Sequence, residues 1–304
     1  MNTHRLSNPL LALCCCAIAT TAAAADKADI NFEASAGLEY DDNLTVQELD
    51  RVANAADTAT LLNAGVKGRL NPTDKLTLKG GYRQARKSYR EFNEFDQTVG
   101  TLSLEASYDF SLLTLGSSYH RASADLANEP FLELEQRSLY AGKLLNDRFY
   151  LRAAFNQRDK TFSDNPARDA AADGMDTDFF VFFNGAASFI SLGLTVEDED
   201  ANSNLFDYRG LGFRGRYSNQ FSLWGKDNTF QLAWRRTERD YSAFNPAIDG
   251  RRNDVRSTLE TRWEIELSAA IAAVGKVEYG NYDSDLASAD YSETLASLML
   301  EASF

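Results

Sequence analysis

The chain has 304 residues, a formal net charge of −14, a mean hydropathy of −0.39 and three cysteines, all within residues 14–16. So acidic a chain lacks the basic face that phosphate binding needs, which removes nucleic acid from the expected partners. Past residue 25 no apolar run approaches the ~20 residues of a membrane-spanning helix, but a transmembrane barrel can have the same mean hydropathy, because its strands hide apolar residues in alternation.

Residues 1–5 end on a positive charge at Arg5, residues 10–18 form a short apolar run, and residues 20–25 are small with A-x-A cleavage choices. This is the pattern of an export signal, so residues 1–25 are expected to be removed by cleavage after Ala25. Leu13 precedes Cys14 where a lipid-attachment site has a small residue, which argues against lipidation. Cleavage leaves no thiol for a disulfide or a thiolate metal site, and no cofactor or metal is expected.

Residues 26–304 are read as one domain of alternating segments. Phe32, Ala34, Ala36, Leu38 and Tyr40 share one face, with Glu33, Ser35, Gly37 and Glu39 on the other. Next come Leu62 to Leu70, Leu76 to Tyr82, Leu102 to Phe110, Leu113 to Tyr119, a weaker segment at residues 138–144, and Phe149 to Phe155. Later members centre on Val181, Leu194, Phe213, Leu232, Trp263, Val277 and Leu298. The pattern predicts an all-β, closed antiparallel barrel of about 14 strands, within a range of 12 to 16. Short turns such as residues 71–75 and 144–148 alternate with longer polar loops expected at 161–178 and 243–254. Short connections at one end and long ones at the other are the asymmetry of outer-membrane barrels.

Alternation alone also fits a water-soluble barrel. Charge density on the polar face decides between the two, since a dry interior does not hold so many ionised groups. The inward register carries Lys67, Arg69, Lys79, Arg83, Glu105, Arg152, Arg214, Arg216, Arg235, Arg262, Glu264, Glu266, Lys276 and Glu278, the candidate lumen residues. Such groups either set the field that selects ions in a pore or brace the wall as salt bridges. Tyr40, Tyr108, Tyr119, Phe149, Trp234, Trp263 and Tyr279 suit the aromatic girdles at a membrane interface. The run Phe179 to Phe183 breaks the alternation by making both faces apolar: Phe180 and Phe182 either meet a folded-in loop or sit above the membrane against a partner, and a plug is most easily accommodated there.

The last strand ends in Leu298, Leu300, Ala302 and Phe304 on one face. It resembles the C-terminal signal read by the barrel-assembly machinery, without the glycine often found there. The stretch GLEYDDNLTV (residues 37–46), with RRNDVRSTLETRWEI (251–265) and VEYGNYDSD after it, resembles the outer-membrane β-barrel porins of polysaccharide loci. It is also similar to the 14-stranded barrel of surface lipoprotein assembly modifiers, whose preceding helical-repeat domain is missing here. The resemblance implies a Gram-negative outer membrane, with lipid, lipopolysaccharide and the assembly machinery as partners. For the export role it implies a periplasmic partner as well.

His120 is the one histidine beyond residue 25, and with Ser118 or Asp125 it is the only constellation that could support catalysis. Carboxylates at Asp41 and Asp42, at 197–200, and at Asp283 and Asp285 could hold calcium or bridge divalent ions to lipopolysaccharide, but no loop has the ligand spacing and turn glycine of a calcium hand, and solvated loop charges are the favoured reading. The leading reading is a porin-like channel for small polar or ionic solutes. The alternative is a barrel for export or assembly of a surface polysaccharide or lipoprotein, and an outer-membrane enzyme is least favoured.

Overall fold

The computed structural model describes residues 28–185 and 187–304. The expected leader, residues 1–25, lies outside the described residues.

Fourteen antiparallel strands close into a barrel. They are β1 (Ala28–Asp41), β4 (Asp57–Leu70), β5 (Leu76–Tyr89), β6 (Gln97–Asp109), β7 (Thr114–Leu126), β8 (Glu129–Asn146), β9 (Phe149–Phe162), β10 (Ala170–Phe183), β11 (Ser188–Ala201), β12 (Tyr208–Leu223), β13 (Lys226–Asn245), β14 (Gly250–Ser268), β15 (Ile271–Ser284) and β16 (Tyr291–Ser303). A small ribbon of β2 (Thr45–Val46) and β3 (Arg51–Val52) stands apart from the wall. Each strand pairs with its chain neighbour, and β1 closes the ring on β16 with Leu38 opposite Leu298. The last residue belongs to this seam: Phe304 and Phe32 exchange backbone hydrogen bonds of 2.9 Å in both directions. Closure leaves no edge with unpaired backbone groups, which is what a sheet in hydrocarbon requires.

All fourteen expected segments are strands, and most run further than expected. The weak segment at 138–144 is the middle of an 18-residue strand, β8. The loops expected at 161–178 and 243–254 shrink to 163–169 and 246–249, because alternation continues through polar residues. For the same reason residues 197–200 are strand, not loop, with Glu197 and Glu199 turned inward and Asp198 and Asp200 outward. Turns of two residues join β8 to β9 and β12 to β13 at the end that carries Ala28 and Phe304, and the latter has positive φ at Trp224 and Gly225, as a type I′ hairpin needs. The connections at the opposite end are mostly six or seven residues and carry short 3-10 turns, which makes that end the extracellular one.

The outward face is apolar over most of its height. Leu38 of β1 is 59% exposed, Leu139 of β8 65% and Leu192 of β11 58%, from strands spread around the ring. Large apolar side chains exposed on every side of a protein belong in lipid, not water. Tyr40 and Tyr279 border this band towards the outer end, and Tyr108, Phe149 and Trp263 towards the inner end, where Trp224 stacks on Trp263. Above the band the outward face becomes charged, with Arg121 bonded to Glu133 at 3.0 Å and Arg236 to Glu238 at 2.8 Å. The strands therefore continue past the hydrocarbon to the level of lipopolysaccharide headgroups.

Candidate functional site

Every candidate lumen residue lies on the inward face, as the pairing register shows: Lys79 stands opposite Glu105, Arg214 opposite Arg235, and Arg262 opposite Lys276. Most are committed to partners. Lys67 bonds Glu33 at 2.6 Å, Lys79 bonds Glu105 at 3.0 Å, and Lys276 bridges Glu260 at 3.0 Å and Glu278 at 2.8 Å. Arg262 joins Glu264 and reaches Glu301 at 2.9 Å. Arg214 holds Asp178 at 2.7 Å and Asp176 at 3.2 Å, while Arg152 lies 3.9 Å from Asp178 and packs over the Tyr140 ring.

Two inward glycines make room for these side chains to lie flat on the wall. A Cβ at Gly193 would meet the Arg214 guanidinium at 2.3 Å, and one at Gly116 would meet the Tyr140 ring at 2.2 Å. Gly193→Val should therefore push Arg214 off Asp178 into the pore and reduce single-channel conductance, with little change in thermal stability.

Four inward arginines, Arg69, Arg83, Arg216 and Arg235, are exposed to lumen water and have no carboxylate within 4.0 Å among the described residues. Arg83 lines a cavity of about 430 Å³ at the inner end with Lys67, Glu264 and Glu266, and Arg216 and Arg235 line a second of about 270 Å³. The wall thus combines braced ion pairs with free cations.

The outer mouth is occupied by the protein's own chain. Residues 42–56, between β1 and β4, fold into it as the β2–β3 ribbon, with Asp50 at the tip in a left-handed conformation (φ 53°). The base of this segment is apolar: Leu44 and Val46 pack with Ala59, Tyr89 and Phe95 in a buried cluster, Leu44 being fully buried. The tip is ionic. Asp50 accepts from Arg252 of β14 at 2.7 Å and from Arg168, between β9 and β10, at 2.5 Å. Arg168 also donates to the Glu48 carbonyl at 2.8 Å, Gln47 donates to the Tyr282 hydroxyl at 2.8 Å, and Thr45 donates to Glu293 at 3.0 Å. Contacts to β5, β14, β15 and β16 and to the β9–β10 connection show that the segment spans the mouth. Below it a buried pair, Lys160 and Glu199 at 2.9 Å, continues the network.

Burial alone would raise the Asp50 carboxyl, but hydrogen bonds and charge from Arg252 and Arg168 outweigh it and hold the group below the ordinary carboxylate range. A carboxyl depressed by folding stabilises the folded state above its unfolded value and loses that contribution only as pH falls through the lowered value. The tip should thus stay latched from neutral pH down to about pH 5, and current recorded across that window should show no acid opening.

The occluding segment is therefore not where it was expected. Phe180 and Phe182 of β10 lie near the inner end and stack on each other at 6.0 Å and against Phe189, with Tyr150 beside them. No folded-in loop reaches them among the described residues. A signal for the true segment exists: Leu44, Val46, Leu49 and Val52 are apolar residues in what should be a polar loop. Arg168 and Arg252, by contrast, look like ordinary loop charges until the tip arrives between them.

His120 sits mid-strand on β7 facing the lumen, with Ser118 buried two residues below it. Asp125 has the opposite parity and points outward, so the three do not assemble as a catalytic group.

No protein-family model matches the chain, and no curated protein matches it. Among solved structures it is similar to a loop L8 deletion mutant of OmpT, an outer membrane protein of Vibrio cholerae, with a TM-score of 0.52 and 10% identity over 92% of this chain and 100% of that one. An anion-selective porin from Comamonas acidovorans has a TM-score of 0.52 and 9% identity, covering 91% of this chain and 99% of the porin. Similarity at such low identity speaks for the fold alone. By its closed wall, its apolar outer band and these likenesses, the chain is an outer-membrane β-barrel of the Gram-negative type.

Proposed function

We propose that the barrel is a porin-like channel for small polar or ionic solutes, with a lumen field set by its inward arginines and an outer mouth narrowed by residues 42–56. The observation that carries this reading is the set of inward cations left without carboxylate partners, above all Arg216 and Arg235. A wall built only for bracing would neutralise them, whereas a pore uses exposed charge of one sign to select among ions. One barrel of similar fold is described as an anion-selective porin, the class of activity proposed here.

The test is ion current through refolded protein in a planar bilayer under a potassium chloride gradient. Arg216→Glu combined with Arg235→Glu should move the reversal potential towards cation preference. A barrel that inserts well and never conducts, even after release of residues 42–56, would overturn the reading.

The export signal at 1–25 and the assembly role of Phe304 belong to the same proposal. Phe304 is 73% exposed and contributes two backbone bonds to the seam. Its deletion should lower the amount of folded barrel in cells far more than it lowers the stability of refolded protein, as read by heat-modifiable gel mobility.

A further inference from the structure

The second lumen cavity joins features that a simple pore wall does not call for. Arg235 stands directly opposite Arg214 across the β12–β13 pair, and like charges in that position repel. Arg214 is neutralised by Asp178 and Asp176, whereas Arg235 and Arg216 have no carboxylate within 4.0 Å among the described residues, Glu260 acting on Arg216 only at longer range. The carboxylates nearby are already engaged: Asp178 with Arg214, Glu260 and Glu278 with Lys276. Ring surface lies beside these cations, since Phe180 and Phe189 line the same cavity of about 270 Å³. Phe180, Ser191 and Arg216 occupy one row across β10, β11 and β12, so ring and guanidinium stand two strands apart, about 10 Å between their backbones. Phe180 and Phe189 are half-buried and pack on each other at 6.0 Å, and both line the cavity.

We propose that this cavity is a binding site for small organic anions with a flat apolar ring, aryl carboxylates being the simplest. Arg216 and Arg235 take the carboxylate, and Phe180 and Phe189 take the ring. The inference rests on the channel reading, because only a traversed lumen brings such a solute to this wall. The carboxylate supplies the counter-charge that Arg216 and Arg235 lack, and a guanidinium can hold it through two parallel hydrogen bonds. The ring covers the phenylalanine faces, a contact that acetate cannot make.

Equilibrium titration of the full folded barrel in detergent micelles, which needs no ion current, tests the site with sodium benzoate, sodium acetate and benzylammonium chloride as probes. Benzoate should bind about tenfold or more tightly than acetate, and benzylammonium should not compete with it. Arg216→Gln with Arg235→Gln should weaken benzoate by about tenfold or more, while Arg235→Lys, which keeps the charge but not the fork, should weaken it less. Phe180→Ala with Phe189→Ala should bring benzoate down to the acetate level, and gel mobility reports whether that variant is folded. Equal binding of benzoate and acetate, or full benzoate affinity in the double arginine variant, would overturn the proposal. Benzoate binding in a barrel that never conducts would remove the channel and keep the site. Conduction without benzoate binding would do the reverse.

Discussion

Asp50→Ala should raise the ion current through the barrel sharply and lengthen its open periods. The carboxylate lies between Arg168 and Arg252 with its side chain 6% exposed, and the Arg252 side chain is 4% exposed. Taking one partner from a buried pair leaves uncompensated charge and costs about 3–5 kcal/mol. Arg252 keeps Asp254 at 2.8 Å, so the wall stays intact, while the tip loses both ionic contacts of Asp50 and is left with the bond from Arg168 to the Glu48 carbonyl at 2.8 Å. The base remains anchored by Leu44 and Val46, and the variant should therefore flicker instead of standing open. Adding Leu44→Ala removes a fully buried side chain worth roughly 2–5 kcal/mol and should convert flicker into a steady high-conductance state. Equal single-channel records for the parent and both variants would show that residues 42–56 do not control the mouth.

Leu104→Arg should prevent stable insertion of the barrel, while Ser103→Arg, one residue earlier, should leave it folded. Leu104 is 48% exposed in the outward register of β6, inside the apolar band. An arginine facing lipid near the bilayer middle costs about 2–4 kcal/mol, a large part of the total stability of a folded domain. Ser103 faces the lumen opposite His120 and Gly81, where water and neighbouring polar groups accept the charge. Urea titration in lipid vesicles measures the contrast, and equal loss in the two variants would mean that the two faces of β6 do not differ in what they touch.

Most of the wall could be read from the sequence because one physical rule, alternation between lipid and lumen, acts on every strand. The same rule gives the lumen candidates one shared parity, and the pairing register sets several of them side by side. It said nothing about strand ends above the membrane, where both faces are polar and alternation loses its contrast; hence residues 161–178 read as loop although much of that stretch is strand. The occluding segment was hidden for a different reason. Its hold on the barrel comes from Arg168 and Arg252, 118 and 202 residues away from Asp50, and no local pattern records such pairings. The phenylalanine run of β10 was visible as a break in alternation, but its use depends on which arginines face it from β12 and β13, and that is a matter of register.

A nitroxide scan along residues 101–107 of β6 in lipid vesicles tests the central claim most directly. The only native cysteines lie within residues 14–16, so in the expected processed chain each introduced thiol is labelled alone. Collision with lipid-dissolved oxygen should peak at positions 102, 104 and 106, and collision with a water-soluble nickel chelate at 101, 103, 105 and 107. Two profiles without a two-residue period, or with the peaks exchanged, would contradict a barrel that faces lipid outside and water within.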